Sequence, residues 1–369
     1  MAANPLLRLR ELGQSAWLDY IQRDLIVNGE FARLIREDGL AGVTSNPAIF
    51  EKAITSGQEY EAPIREFARR GLPATALYEA LTIEDVMRAA DLFQPLYKKT
   101  QGGDGFVSIE VSPHLARDTT ATIAEAQRLW VALGRPNVMI KVPATREGLP
   151  AIRALIAAGV NVNATLLFSV ARYREVAAAY IDGLEHRARA GTPLGHVASV
   201  ASFFLSRIDT LVDKRLDQCG TAEARALRGQ MAVASARLAY QAYQRIESET
   251  RWQALARQGA RAQRLLWAST GAKDPSYSDL KYVEPLIGPW TVNTLTPETL
   301  AAYRDHGDPA ARIEDEIETA QVLPARLAAL GIDLDEIARE LEEEGIHKFV
   351  EPYDKMLATL EQRRREAAG

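Results

Sequence analysis

Cysteine is almost absent, Cys219 being the only one in 369 residues. An intrachain disulfide is therefore excluded, and the composition suits a reducing compartment. Histidine is scarce as well: His114, His186, His196, His306 and His347 are scattered, without a His-x-x-x-His pair or a thiol cluster. Metal-independent chemistry is the expectation. No run approaches the roughly 20 apolar residues of a membrane span, and no apolar stretch follows positive charges at the N-terminus. A soluble cytoplasmic protein is expected. Basic residues are in the minority, with 44 Lys and Arg against 49 Asp and Glu, a formal charge of -5 and a pI near 5.7. Nucleic-acid binding is disfavoured, because affinity for a phosphate backbone comes mainly from clustered Lys and Arg. Any phosphate recognised here should be small and met locally. Neither a Gly-x-Ser-x-Gly elbow nor a phosphate-loop motif occurs.

What the chain does contain is alternation. Short apolar segments at 15–20, 39–46, 105–112, 137–145, 160–165, 196–204, 263–269 and 289–294 read as strands, bounded by turn-prone residues. Helical periodicity lies between them, over 23–37, 49–100 with a break at 70–73, 119–133, 147–158, 169–190 and 222–257. Eight strands, each followed by helix, predict an α/β fold, a (β/α)8 TIM-type barrel. An open doubly wound sheet alternates in the same way, but no Gly-x-Gly-x-x-Gly follows the first strand. One domain over 1–369 is expected, with a C-terminal extension from about 309 that reads as helices at 310–329, 334–344 and 347–366. Their charged faces are most simply solvated, and the alternative is that they cover part of the barrel rim or a subunit interface.

Lys141 stands near the carboxyl end of the fourth strand, sharing a face with Met139 and Pro143. Burial disfavours the charged form of an amine, and only an uncharged amine attacks a carbonyl. Taken alone, a strand-end lysine is more simply one whose head reaches water over its aliphatic stem. The other strands change that balance. Their last inward residues are Asp19, Asn46, Glu110, Asn163 with Thr165, Ser202 and Ser269, and Thr44 shares the face of Asn46. An amine beside two acids is the equipment of imine chemistry: the amine attacks, one acid moves protons and the other polarises water. For a phosphate, Arg207 at a helix start and Lys273 in the loop after the seventh strand are the candidates.

The segments Gly-Val-Thr-Ser-Asn-Pro at 42–47, Ser-Ile-Glu-Val-Ser at 108–112, Ile-Lys-Val-Pro-Ala-Thr at 140–145, Asn-Ala-Thr-Leu-Leu-Phe-Ser at 163–169 and Trp-Ala-Ser-Thr-Gly at 267–271 resemble the transaldolase family, in order and over 19–294. The C-terminal helices are similar to those of its longer bacterial branch. The resemblance implies a cofactor-free class I transfer of a dihydroxyacetone unit from sedoheptulose 7-phosphate to glyceraldehyde 3-phosphate, giving erythrose 4-phosphate and fructose 6-phosphate in the pentose phosphate pathway. It implies Lys141 as Schiff-base lysine, Asp19 as general acid/base, and Glu110 with Thr165 as holders of a water. Asn46, Asn163 and Ser202 would bind the dihydroxyacetone hydroxyls, with Thr44 and Ser269 beside them, and Arg207 the phosphate. Where shorter members carry an arginine two residues after the serine of the seventh strand, this chain has Gly271, and Lys273 is expected to take part of that contact. The expected partners are phosphorylated sugars, for a monomer or homodimer without nucleic acid or membrane. A class I aldolase acting on fructose 6-phosphate, or a non-catalytic sugar-phosphate-binding barrel, stays open as an alternative.

Overall fold

The computed structural model describes residues 4–368. Eight parallel strands close on themselves in chain order: β1 Gln14–Asp19, β2 Gly42–Thr44, β3 Phe106–Glu110, β4 Val138–Pro143, β5 Val162–Leu167, β6 Ser199–Phe204, β7 Arg264–Ala268 and β8 Thr291–Leu295. Closure comes from β1, which pairs with β2 on one side and β8 on the other. A closed sheet leaves no unpaired edge, and helices cover its outside. That explains why the strands read as near-continuous apolar runs.

The interior is filled in layers. At the N-terminal mouth the guanidinium of Arg264 donates to Asp104 Oδ1 at 3.0 Å and to Ser15 Oγ at 2.7 Å. Above it lies Trp17, fully buried. Gly42 makes room for that indole, since a Cβ there would stand 2.5 Å from Trp17 Cε2. The carboxyl ends of the strands carry the polar layer. Its order follows from the β-ladder register, which pairs Asp19 with Thr44, Glu110 with Lys141, Lys141 with Asn163, and Pro143 with Thr165. Partners in such a ladder lie about 4.8 Å apart with their side chains on one face.

Several expected elements differ in the structure. The helix expected over 23–37 is two, Arg23–Val27 and Glu30–Glu37, separated at Gly29, whose φ is +86°. The region 222–257 divides into Ala222–Ala226, Met231–Ser248 and Thr250–Ala256. At the C-terminus three expected helices are two, Ile317–Ala329 and one continuous helix of 35 residues, Leu334–Ala368. Gly345 weakens the helical reading of the sequence there. In the fold it lets this helix lie close on the barrel, as a Cβ would meet Leu166 Cδ2 at 2.9 Å. The rim-covering role considered for these helices is therefore the one observed, rather than a solvated surface alone.

β5 ends irregularly. Its register to β6 shifts between Ala164 and Leu167, and Leu166 has φ +62°, a left-handed conformation seldom adopted by a branched side chain. Among the described residues, no helix is long and apolar enough to cross a membrane.

Candidate active site

Lys141 is 4 % exposed. Its Nζ donates to the carbonyl of Ser45 at 2.8 Å, and the Ser45 hydroxyl in turn donates to the Ser108 carbonyl at 2.8 Å, which ties the β2–helix turn to β3. Glu110 Oε2 lies 3.7 Å from the ammonium, close enough for attraction and too far for a hydrogen bond. The ring of Phe349, from the C-terminal helix, has its centroid 5.7 Å from the same nitrogen.

Lys141 and Phe349 border a cavity of about 110 Å³ at the carboxyl rim, lined also by Asp19, Thr44, Asn46, Thr165, Ser202, Arg207, Ser269 and Lys273. Larger clefts of about 1010 and 780 Å³ lie elsewhere, the second at the opposite mouth of the barrel beside Ser15 and Arg264. Size alone does not choose the site; the convergence of titratable groups does.

Burial pushes the carboxyl of Asp19 above the usual carboxylate range, against the pull of Lys141, Lys273 and Arg207. Burial likewise raises Glu110, to about 7, and Lys141 opposes it. Among the described residues, neither Glu110 oxygen, nor Thr165 Oγ1, nor Arg207 Nη1 makes a hydrogen bond. Buried polar atoms of native proteins are nearly always partnered, so these four unpartnered atoms mark this end of the barrel.

The remaining candidates divide. Asn163 is fully buried behind the cavity wall, donating from Nδ2 to Ser108 Oγ at 3.1 Å and accepting from the Ser202 hydroxyl at 2.6 Å. Asn46 caps the helix Pro47–Ser56, its Oδ1 accepting from Ile49 N at 3.0 Å, so only its amide nitrogen is left for the cavity. Ser269, with φ +56°, has its hydroxyl 2.8 Å from that of Ser206 and holds the first turn of the Arg207 helix. Arg207 is half-buried, its guanidinium 5.5 Å from the ring of Phe204, and burial lowers its pKa against the attraction of Glu344. Lys273 is exposed at the edge. Sequence reasoning missed the cavity-lining Phe204, Thr294, Thr296 and Phe349. For Phe349 the signal was there: Leu341, Gly345, Phe349 and Tyr353 repeat at four-residue spacing through an otherwise charged helix.

Among the described residues no group of His, Cys, Asp and Glu could hold a metal ion. The model of the family "Transaldolase/Fructose-6-phosphate aldolase" matches residues 16–360. The chain is 46 % identical to a transaldolase of Trichodesmium erythraeum over 98 % of both chains. It is 48 % identical to a transaldolase of Thiobacillus denitrificans, covering 95 % of this chain and 97 % of that one. With "Transaldolase 1" of Streptomyces avermitilis the identity is 49 %, over 96 % and 94 %. A closed barrel with its polar groups gathered at one rim, matched along nearly its whole length, is thus an enzyme scaffold of known kind: the chain belongs to the transaldolase/fructose-6-phosphate aldolase family.

Proposed function

We propose that the rim cavity carries out a class I aldol transfer, moving a dihydroxyacetone unit from a ketose phosphate such as sedoheptulose 7-phosphate to glyceraldehyde 3-phosphate. The observation that carries this reading is a buried lysine 3.7 Å from Glu110, on the cavity that Asp19 also lines, with the proton affinities of both carboxyls raised by burial. The Nζ of Lys141 adds to the ketose carbonyl, and the carbinolamine loses water to leave a protonated imine. Glu110 and Thr165 have the free oxygens to hold the water that leaves, and later the one that returns.

Asp19 then takes the proton of the hydroxyl on the carbon beyond the bond to be cut. That oxygen becomes a carbonyl, the carbon–carbon bond breaks, and its electron pair passes into the imine to give an enamine. The aldehyde leaves. Transfer to the acceptor runs the same steps backwards, with Asp19 returning the proton to the new hydroxyl. Ser202, Thr44 and the amide nitrogen of Asn46 hold the three-carbon hydroxyls, with Asn163 orienting Ser202 from behind. Arg207 meets the phosphate at a helix start, and Lys273 adds a second positive charge at the edge.

Borohydride reduction in the presence of fructose 6-phosphate tests the chemistry. The expected result is a three-carbon adduct on the peptide bearing Lys141, and an unmodified Lys141 would leave only sugar-phosphate binding. The aldolase reading is separated by omitting the acceptor, since rapid release of free dihydroxyacetone would favour it.

A further inference from the structure

The C-terminal helix Leu334–Ala368 lies across the rim and is fastened at points spread around it. Lys355 pairs with Glu51 at 2.8 Å on the helix after β2, and Asp354 with His114 at 2.7 Å after β3. Glu342 faces Arg172 at 3.5 Å after β5, and Glu340 faces Arg215 at 2.6 Å after β6. Arg363 donates to the carbonyls of Ile54 and Thr55 at 3.3 and 2.8 Å. Exposed pairs contribute little one by one, but their distribution fixes the direction of the helix.

Its inner face carries Ile337, Leu341, Gly345 and Phe349, all buried. At Gly345 an added Cβ would stand 3.6 Å from Arg207 Nη1, so the helix lies against the arginine proposed to bind the phosphate. One turn further Phe349 reaches Lys141, and the next turn places Tyr353 edge-on to Tyr78, with ring centroids 5.3 Å apart. Tyr353 is thus an anchor that fixes the distance of Phe349 from the amine.

Resting on the reading that Lys141 carries the three-carbon unit as an imine, we propose that Phe349 is a specificity-determining residue that sets the division between transfer and release. For release, the enamine carbon first gains the proton held by Asp19, relayed through a water, and its C=C electron pair becomes the new C–H bond, leaving a protonated imine. Water then adds through oxygen to the C=N carbon, one of its protons passes to nitrogen, the C–N bond breaks with its electron pair on nitrogen while the hydroxyl proton returns to Asp19, and dihydroxyacetone leaves the free amine of Lys141. For transfer, the same enamine carbon forms a bond to the acceptor aldehyde carbon, and the aldehyde oxygen takes the proton held by Asp19. The two fates share the enamine, and both end in hydrolysis of an imine; they part at the enamine carbon, which receives a proton for release and the acceptor carbon for transfer. An aromatic ring beside the amine offers no hydrogen bond to hold a water that would relay a proton to the enamine carbon, while Glu110 and Thr165 keep their free oxygens for the water that hydrolyses the imine. It also attracts a cationic nitrogen within about 6 Å of its centroid.

The test compares wild type with Phe349→Ala and Phe349→Leu, measuring free dihydroxyacetone against transferred sugar phosphate, with circular dichroism and melting curves to establish folding. Phe349→Ala should still trap the borohydride adduct, while its ratio of release to transfer rises about tenfold, equivalent to roughly 1.4 kcal/mol of barrier difference. Phe349→Leu should rise less. A structural role alone would lower both products together and leave the ratio at the wild-type value; that result in a folded Phe349→Ala overturns the proposal. Should Phe349→Ala fail to fold, Phe349→Leu decides on the same ratio. An untrapped wild type would instead overturn the imine reading.

Discussion

At the scale of single residues the rim holds two carboxyls in different surroundings. Asp19 borders the cavity and feels three cations, whereas Glu110 is 9 % exposed and lies beside Lys141. Asp19→Ala should lower kcat by about 10²–10⁴-fold, the usual range for a lost proton carrier, while borohydride still traps the imine. Wild-type turnover in that variant would remove Asp19 from the reaction. Glu110 has its proton affinity raised to about 7, so it is neutral below that pH and an acceptor above it. Turnover should rise with pH through about 7, and Glu110→Gln should flatten that limb. The same shift bears on stability. A carboxyl that holds its proton more tightly folded than unfolded favours the fold below its ordinary range near 4.5, and the benefit is lost as pH rises through about 7. Glu110→Gln should therefore melt above wild type at pH 8, with the gap closing below pH 5. A gap that widens in acid would contradict the assignment.

At the scale of elements, the shortest strand is among the most constrained. β2 has three residues, and its Gly42 lies against the indole of Trp17. Gly42→Ala should destabilise the barrel by about 1–3 kcal/mol, the usual cost of overpacking, read as a fall in the urea midpoint without a change in slope. The strand ends carrying Asp19, Glu110 and Lys141 were legible because side chains alternate along a strand, so apolar runs with a polar residue at the carboxyl end identify the inward face. The C-terminal helix was not legible in the same way. Its contacts to Lys141 and Arg207 lie more than a hundred residues away in sequence, and its charged faces look solvated until their partners around the rim are placed.

At the scale of the whole molecule, closure joins segments far apart in the chain: Gln14 donates to the carbonyl of Leu286 across 272 residues. Such pairing carries a large loop-closure cost before its contacts form, and until then β1 is an open edge. A chain ending at Gly288, which lacks β8, should give no species with a cooperative melt and should scatter light on refolding. A soluble truncated chain with a native-like transition would argue that the barrel does not need its closing strand.

The sequence by itself determined the alternation of strand and helix and the polar residue types at the strand ends, because periodicity and hydrophobicity act locally. Only the tertiary structure decided that Asn46 and Asn163 are partly engaged by the fold, that Ser269 braces the Arg207 helix, and that Phe349 lies over the lysine. Those outcomes depend on register and on contacts between distant segments, which no local pattern of residues encodes.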